Sequence, residues 1–165
     1  MIKSTTTFLF ALLAFLLLIT SCSKTTDEDK SLYEKVKSDA GFTFYKNNTT
    51  VLQSSGSSPH NAYFRMRYNS IAINAMTDSG KLPVGGTFPE GSLVVKELYN
   101  SPTGSLKLLA VMEKASQGST GAGWKWAEYT TDGKAAYSVA KKGEGCISCH
   151  STNSRDYNAV FNLFP

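Results

Sequence analysis

Once an export signal is set aside, a chain of 165 residues is long enough for one domain with a single core and too short for two. Its formal net charge of +4 comes from basic residues scattered without a cluster, which excludes the electrostatic footprint of a nucleic-acid binder. Three cysteines, an odd number, do not make a disulfide framework.

Met1 to Cys22 reads as a lipoprotein-type export signal: the cation Lys3, the unbroken apolar run Phe8 to Ile19, then Thr20-Ser21-Cys22. The run is too short to cross a bilayer, so it is a cleaved segment rather than a membrane helix. A small residue directly before Cys resembles the lipobox of bacterial lipoproteins, in which the cysteine becomes the acylated first residue. Ile19 departs from that pattern, where Leu is commonest. The alternative for Cys22 is ordinary cleavage nearby with a free thiol left over. Lipidation would hold the protein on a bacterial membrane, in the periplasm or at the cell surface. Ser23 to Lys30 is polar without apolar periodicity, as a tether is.

A short helical turn is expected between Ser31 and Ser38, and Asn47 to Pro59, rich in Ser, Thr, Asn and Gly, is a loop. From His60 to Met76, Phe64, Tyr68, Ile71, Ala72 and Ala75 recur at helical spacing and predict an amphipathic helix ending near Asp78-Ser79-Gly80. Lys81 to Gly91, with its prolines and glycines, is a loop into strands expected over Ser92 to Tyr99, Leu106 to Glu113 and Trp124 to Thr131. Asp132-Gly133 then turns the chain into another extended run reaching Val139.

Cys146-Ile147-Ser148-Cys149-His150 is the attachment signature of a c-type haem. Two thiols three residues apart project from one side of a helical turn and reach the two vinyl groups of one porphyrin; the imidazole that follows is an axial iron ligand. A thioredoxin-like redox pair is a competing reading, but it belongs early in a strand-helix-strand pattern. Zinc competes too, yet it needs four ligands and only Cys22 and His60 remain. One cysteine for lipid and two for haem account for all three. The class expected is α+β: mainly antiparallel β-sheet with a packed helix and a C-terminal c-type haem segment. The expected divisions are signal peptide 1–22, tether and short helix 23–58, and haem domain 59–165.

Phe88-Pro89-Glu90-Gly91-Ser92-Leu93-Val94-Val95-Lys96-Glu97, Gly123-Trp124-Lys125-Trp126, Cys146 to His150, and Asp156-Tyr157-Asn158-Ala159-Val160-Phe161 together resemble the cytochrome P-460 family, over about Pro59 to Phe164. The resemblance implies a periplasmic, sheet-rich, often homodimeric protein with one haem c, held through Cys146 and Cys149, with His150 on the iron and the sixth position open or weakly filled. The best-known branch oxidises hydroxylamine; the related cytochromes c′-beta bind nitric oxide or carbon monoxide. In the enzymes a Lys is bonded to the porphyrin edge, and Lys96 is the position that matches it.

In a strand, Lys96 shares its face with Val94 and Leu98, which points it toward an apolar interior where its pKa falls and the free amine is a nucleophile. The alternative is a lysine that snorkels to water. The family's distal Arg corresponds to Arg65 or Arg67, and helical geometry favours Arg67, with a solvated flank or a haem propionate as its other readings. Lys141 and Lys142 are either propionate partners or solvated. Met66, Met76 and Met112 are weighed as sixth ligands, with Met112 read as core. His60 is read as a capping or surface residue rather than a distal ligand, and Trp124 and Trp126 as packing the sheet or one face of the haem, with packing the default. Two functions follow. One is a hydroxylamine oxidoreductase that passes electrons to a redox partner protein, tuned by Lys96, with Arg67 or Glu97 managing protons. The other is a membrane-tethered haem module that binds a gas or relays electrons.

Overall fold

The computed structural model describes residues 25–54, 60, 62–78, 80–152 and 155–158; the stretch read as an export signal, Cys22 included, lies outside them. The first element is helix α1, Asp27–Val36. Thr26 caps it: its hydroxyl accepts the Asp29 N–H while the Asp29 carboxylate accepts the Thr26 N–H, and Asp27, Glu28 and Asp29 place negative charge at the positive end of the helix dipole. Residues 27–30, expected in a tether, therefore start a helix. The signal for it is the capping box and not apolar periodicity. Asp29, Leu32 and Val36 form the stripe that α1 buries.

Among the described residues seven antiparallel strands follow: β1 (Phe42–Phe44), β2 (Leu52–Gln53), β3 (Tyr63–Asn69), β4 (Leu93–Tyr99), β5 (Leu106–Lys114), β6 (Trp124–Thr130) and β7 (Ala135–Tyr137). Their order is β1-β3-β4-β5-β6-β7, with β2 on the same edge of β3 as β1. The three strands expected from β4 to β6 are present, and Gly133, at φ 82, makes the turn into β7. A methyl group on Gly133 would lie 2.6 Å from the Tyr33 ring of α1, so the turn and the helix pack closely.

The helix expected over His60 to Met76 is not there. Its first half is β3 and its second a short helix α2, Ser70–Ala75, capped by the Asn69 side chain, which accepts the Ala72 N–H. Two periods overlap in this stretch. Phe64, Tyr68, Ile71 and Ala75 fit a helix, while Phe64, Met66 and Tyr68 alternate with Arg65 and Arg67 as in a half-buried strand. Pairing of β3 with both β1 and β4 selects the second period. The helix packed on the sheet is α1.

The sheet separates two cores. On one face, Leu32 and Val36 of α1 cover Leu93, Val95, Leu109, Val111, Ala127 and Tyr129. On the other, Phe64, Tyr68, Val94, Leu98, Met112, Trp124 and Trp126 pack with Ala72 of α2 and with Tyr45, Leu82 and Phe88 from the connecting segments. Full burial of each such side chain contributes about 1.5–3 kcal/mol.

Two polar anchors hold α1 in place. At its C-terminal end the buried Arg67 donates to the Val36 carbonyl at 2.5 Å, to the Ser38 carbonyl at 2.7 Å and to Glu97 at 2.8 Å; Glu97 also takes Arg65 at 2.6 Å and the Tyr99 hydroxyl at 2.8 Å. At the other end the buried Asp29 carboxylate accepts the Ser138 hydroxyl and the Val139 N–H, both at 2.8 Å. The second anchor fixes the chain where it leaves β7. Among the described residues no helix is long and apolar enough to cross a membrane.

Candidate functional site

From Ser138 the chain makes a tight turn at Val139–Lys141, passes Lys142 and Gly143 at φ 51 and 76, and enters helix α3, Ile147–His150. The approach is pressed against β6. A Cβ on Gly143 would lie 2.6 Å from Trp126 Cδ1, and one on Gly121 would lie 1.7 Å from the Lys142 carbonyl oxygen, so only hydrogen fits at either position. The Trp126 indole N–H donates to the Gly121 carbonyl at 2.9 Å and closes this contact.

In α3 the Cys149 and His150 N–H groups donate to the Cys146 carbonyl at 3.2 and 3.1 Å. One helical turn thus sets Cys146, Cys149 and His150 at i, i+3 and i+4 on one face. Both thiols are free, Cys149 exposed and Cys146 half-buried. Burial pushes the Cys146 thiol up, against the lowering effect of the Tyr137 hydroxyl.

His150 Nδ1 lies 2.8 Å from the Tyr157 carbonyl. A carbonyl only accepts, so Nδ1 carries the proton and Nε2 is the nitrogen left for a metal. Burial holds the imidazole below its ordinary pKa; the Tyr157 bond opposes this, and the charges of His60 and Lys96 reinforce it. The ring stands edge-on to Trp126 at 5.0 Å and to His60 at 6.1 Å, and His60 Nδ1 lies 3.4 Å from Glu128. His60, read as a capping or surface residue, is therefore part of this cluster.

Strand register lines up the rest. Met66, Lys96, Ala110, Glu128 and Tyr137 stand in one row across β3 to β7, all on the α3 side of the sheet. These five and Leu108 are half-buried, whereas Tyr68, Val94, Met112 and Trp124 on the same face are covered. The result is a partly exposed floor, apolar at Met66, Leu108 and Ala110 and polar at Lys96, Glu128 and Tyr137. Lys96 Nζ lies 4.6 Å from the centroid of the Phe64 ring, and burial pushes its pKa down to about 8.

A family model described as Cytochrome P460 matches residues 43–162, from β1 through the segment beyond α3. The chain belongs to the cytochrome P460 family. No curated protein matches it. Membership in cytochrome P460 implies a haem cofactor, and the residues fit one: thiols for a porphyrin edge, an imidazole with Nε2 left for iron, and a partly apolar floor for the ring.

Of the residues singled out from the sequence of this cytochrome, Lys96, Cys146, Cys149 and His150 come together. Arg67 and Glu97 do not: they lie on the opposite face, under α1, because β3 is a strand and its arginines alternate away from Phe64 and Met66. Met76 and Met112 are core, and Met66 pairs with Lys96 on the open face. Lys141 and Lys142 are exposed, with Lys141 Nζ 5.1 Å from the Tyr137 ring centroid. Glu128 and the Tyr157 carbonyl were not foreseen. Alternation from Trp124 and Trp126 onto Glu128 carried the first; no side-chain pattern signals the second.

Proposed function

We propose that this protein is an exported mono-haem c-type cytochrome that oxidises hydroxylamine or a related small nitrogen species and passes the electrons to a redox partner protein. The observation that carries the reading is the placement of Lys96: half-buried, on the face shared with α3, and near enough for its charge to depress the His150 pKa. Bound haem supplies an iron that ligates the substrate and takes up its electrons. Cys146 and Cys149 hold that group by thioether bonds, and His150 ligates the metal through Nε2. Tyr157 and Trp126 fix the imidazole plane. Phe64, Leu98 and Leu108 keep water from the floor, and Lys96 presents the amine suited to bond the porphyrin edge. Cys22 carries the lipid that anchors the mature protein to a bacterial membrane, facing the periplasm or the cell surface, where it acts as a homodimer.

The test is the matured protein's intact mass, reduced absorption spectrum and consumption of hydroxylamine with an electron acceptor. One haem per chain, a spectrum that changes in Lys96→Ala, and turnover are expected. Cys146→Ala with Cys149→Ala abolishes covalent haem. A second reading, a haem module that binds nitric oxide or carbon monoxide or relays electrons, is favoured by one observation: Arg67 and Glu97 lie on the far face, out of reach for proton transfer. Gas binding and a spectrum both untouched by Lys96→Ala, with no turnover, select it.

A further inference from the structure

We propose that Asp156 is a positioning residue for His150: it fixes a turn whose Tyr157 carbonyl holds the His150 Nδ1–H, and so sets the orientation and donor strength of the imidazole. The inference rests on the reading of His150 as the haem ligand.

Asp156 and Tyr157 both adopt left-handed backbone, at φ 50 and 63, and neither is glycine. Such conformations are disfavoured for residues other than glycine and persist where the surroundings dictate them. The Asp156 side chain, 8% exposed, supplies the constraint. One carboxylate oxygen accepts the Phe88 N–H at 2.8 Å; the other accepts Lys114 Nζ at 2.8 Å and the Trp124 indole N–H at 3.3 Å. These partners come from the loop before β4, the end of β5 and the start of β6, so the turn is tied to two strands of the sheet and to the loop that enters it. Its flanks are pinned as well. Arg155 pairs with Asp78 at 3.0 Å and donates to the Leu82 carbonyl, and the buried Asn158 bonds to the Tyr68 hydroxyl.

With the residues on either side immobilised, the Tyr157 carbonyl is what the turn presents to α3, at 2.8 Å from Nδ1. A hydrogen bond of this kind selects the tautomer, fixes the ring plane and strengthens the imidazole as a donor. Asp156 acts at a distance from His150, through one peptide group.

The experiment compares the haem-loaded full chain with Asp156→Ala, Asp156→Asn and Lys114→Gln. In Asp156→Ala the iron–histidine stretching band of the ferrous protein, read by resonance Raman, shifts to lower frequency, and the midpoint potential rises because a weaker donor favours ferrous iron. Asp156→Asn keeps an acceptor for the Phe88 N–H and shows a smaller shift in the same direction. Lys114→Gln removes a charge but leaves two anchors; it moves the potential the opposite way and leaves the band in place. In the haem-free chain, where Nε2 carries no iron, imidazole ¹⁵N shifts report the tautomer and change from Nδ1–H alone to a mixture in Asp156→Ala. A folded Asp156→Ala protein with parental band and tautomer overturns the proposal; if that variant does not fold, parental values in Asp156→Asn do so. A parent chain that takes up no covalent haem sinks the haem reading separately, and the ¹⁵N comparison still decides the role of Asp156.

Discussion

Replacing Arg67 by Met tests the assignment of the two sheet faces. The guanidinium is 1% exposed and donates to two carbonyls at the end of α1 as well as to Glu97. In Arg67→Met the Val36 and Ser38 carbonyls each lose a donor, at about 1 kcal/mol apiece. Glu97 retains Arg65 and the Tyr99 hydroxyl, so its charge is not orphaned, and loss of its second ion pair adds a comparable amount. The total is about 3 kcal/mol, the lower end of the range for breaking a buried pair, and corresponds to a fall in Tm of about 10 °C in a domain of this size. Urea and thermal melts of the haem-loaded protein measure it, beside the absorption spectrum at low temperature. A destabilised protein with a parental spectrum is expected. Parental stability with an altered haem spectrum would refute the placement of Arg67 beneath α1.

Gly143→Ala combines a left-handed backbone with a Cβ 2.6 Å from Trp126, so it destabilises by about 2–4 kcal/mol and lowers the yield of covalently loaded protein, scored by melts and haem staining. Burial would raise the Asp29 carboxyl, but hydrogen bonds from Thr26, Val139 and Ser138 outweigh it and hold the pKa below the ordinary value. Because the folded-state pKa is the lower one, the stabilisation is complete above the unfolded-state pKa of about 3.9 and is lost as pH falls through the folded value. Melts between pH 7 and 3 should therefore be less pH-dependent in Asp29→Asn than in the parent, and equal slopes would count against the clamp. Lys96→Met places an apolar chain where the ammonium has no carboxylate partner among the described residues; stability in urea should hold or rise by up to about 1 kcal/mol.

The strands from β4 to β6 were legible because alternation is unambiguous where Leu93, Val95, Glu97 and Tyr99 oppose Val94, Lys96 and Leu98. That alternation also predicted which way Lys96 faces. Met112 was readable as core for the same reason, although Leu106, grouped with it, packs on the opposite face because the ladder shifts register between Leu98 and Tyr99. The stretch from Tyr63 to Ala75 was misread because a strand and a short helix share one apolar set, and only pairing with β1 and β4 decides between them. Placing Arg67 at the haem inherited that error. Helix α1 was legible in its second half, within the turn expected from Ser31, but its start was hidden: it is written in Thr26 and Asp29, whose partners Ser138 and Val139 lie far along the chain. The Tyr157 carbonyl is a backbone group, and its aim depends on contacts no local pattern encodes.

The Asp29 clamp joins positions 109 residues apart, from the first described helix to the strand exit that leads into α3. The first described helix and the exit of β7 therefore latch onto each other, and neither can fray without loosening the other. Closing so long a loop costs chain entropy that the sheet between the two partners largely removes. Loss of the latch would thus loosen the β7 side of the segment bearing Cys146 and Cys149 while the Asp156 contacts still hold its other side.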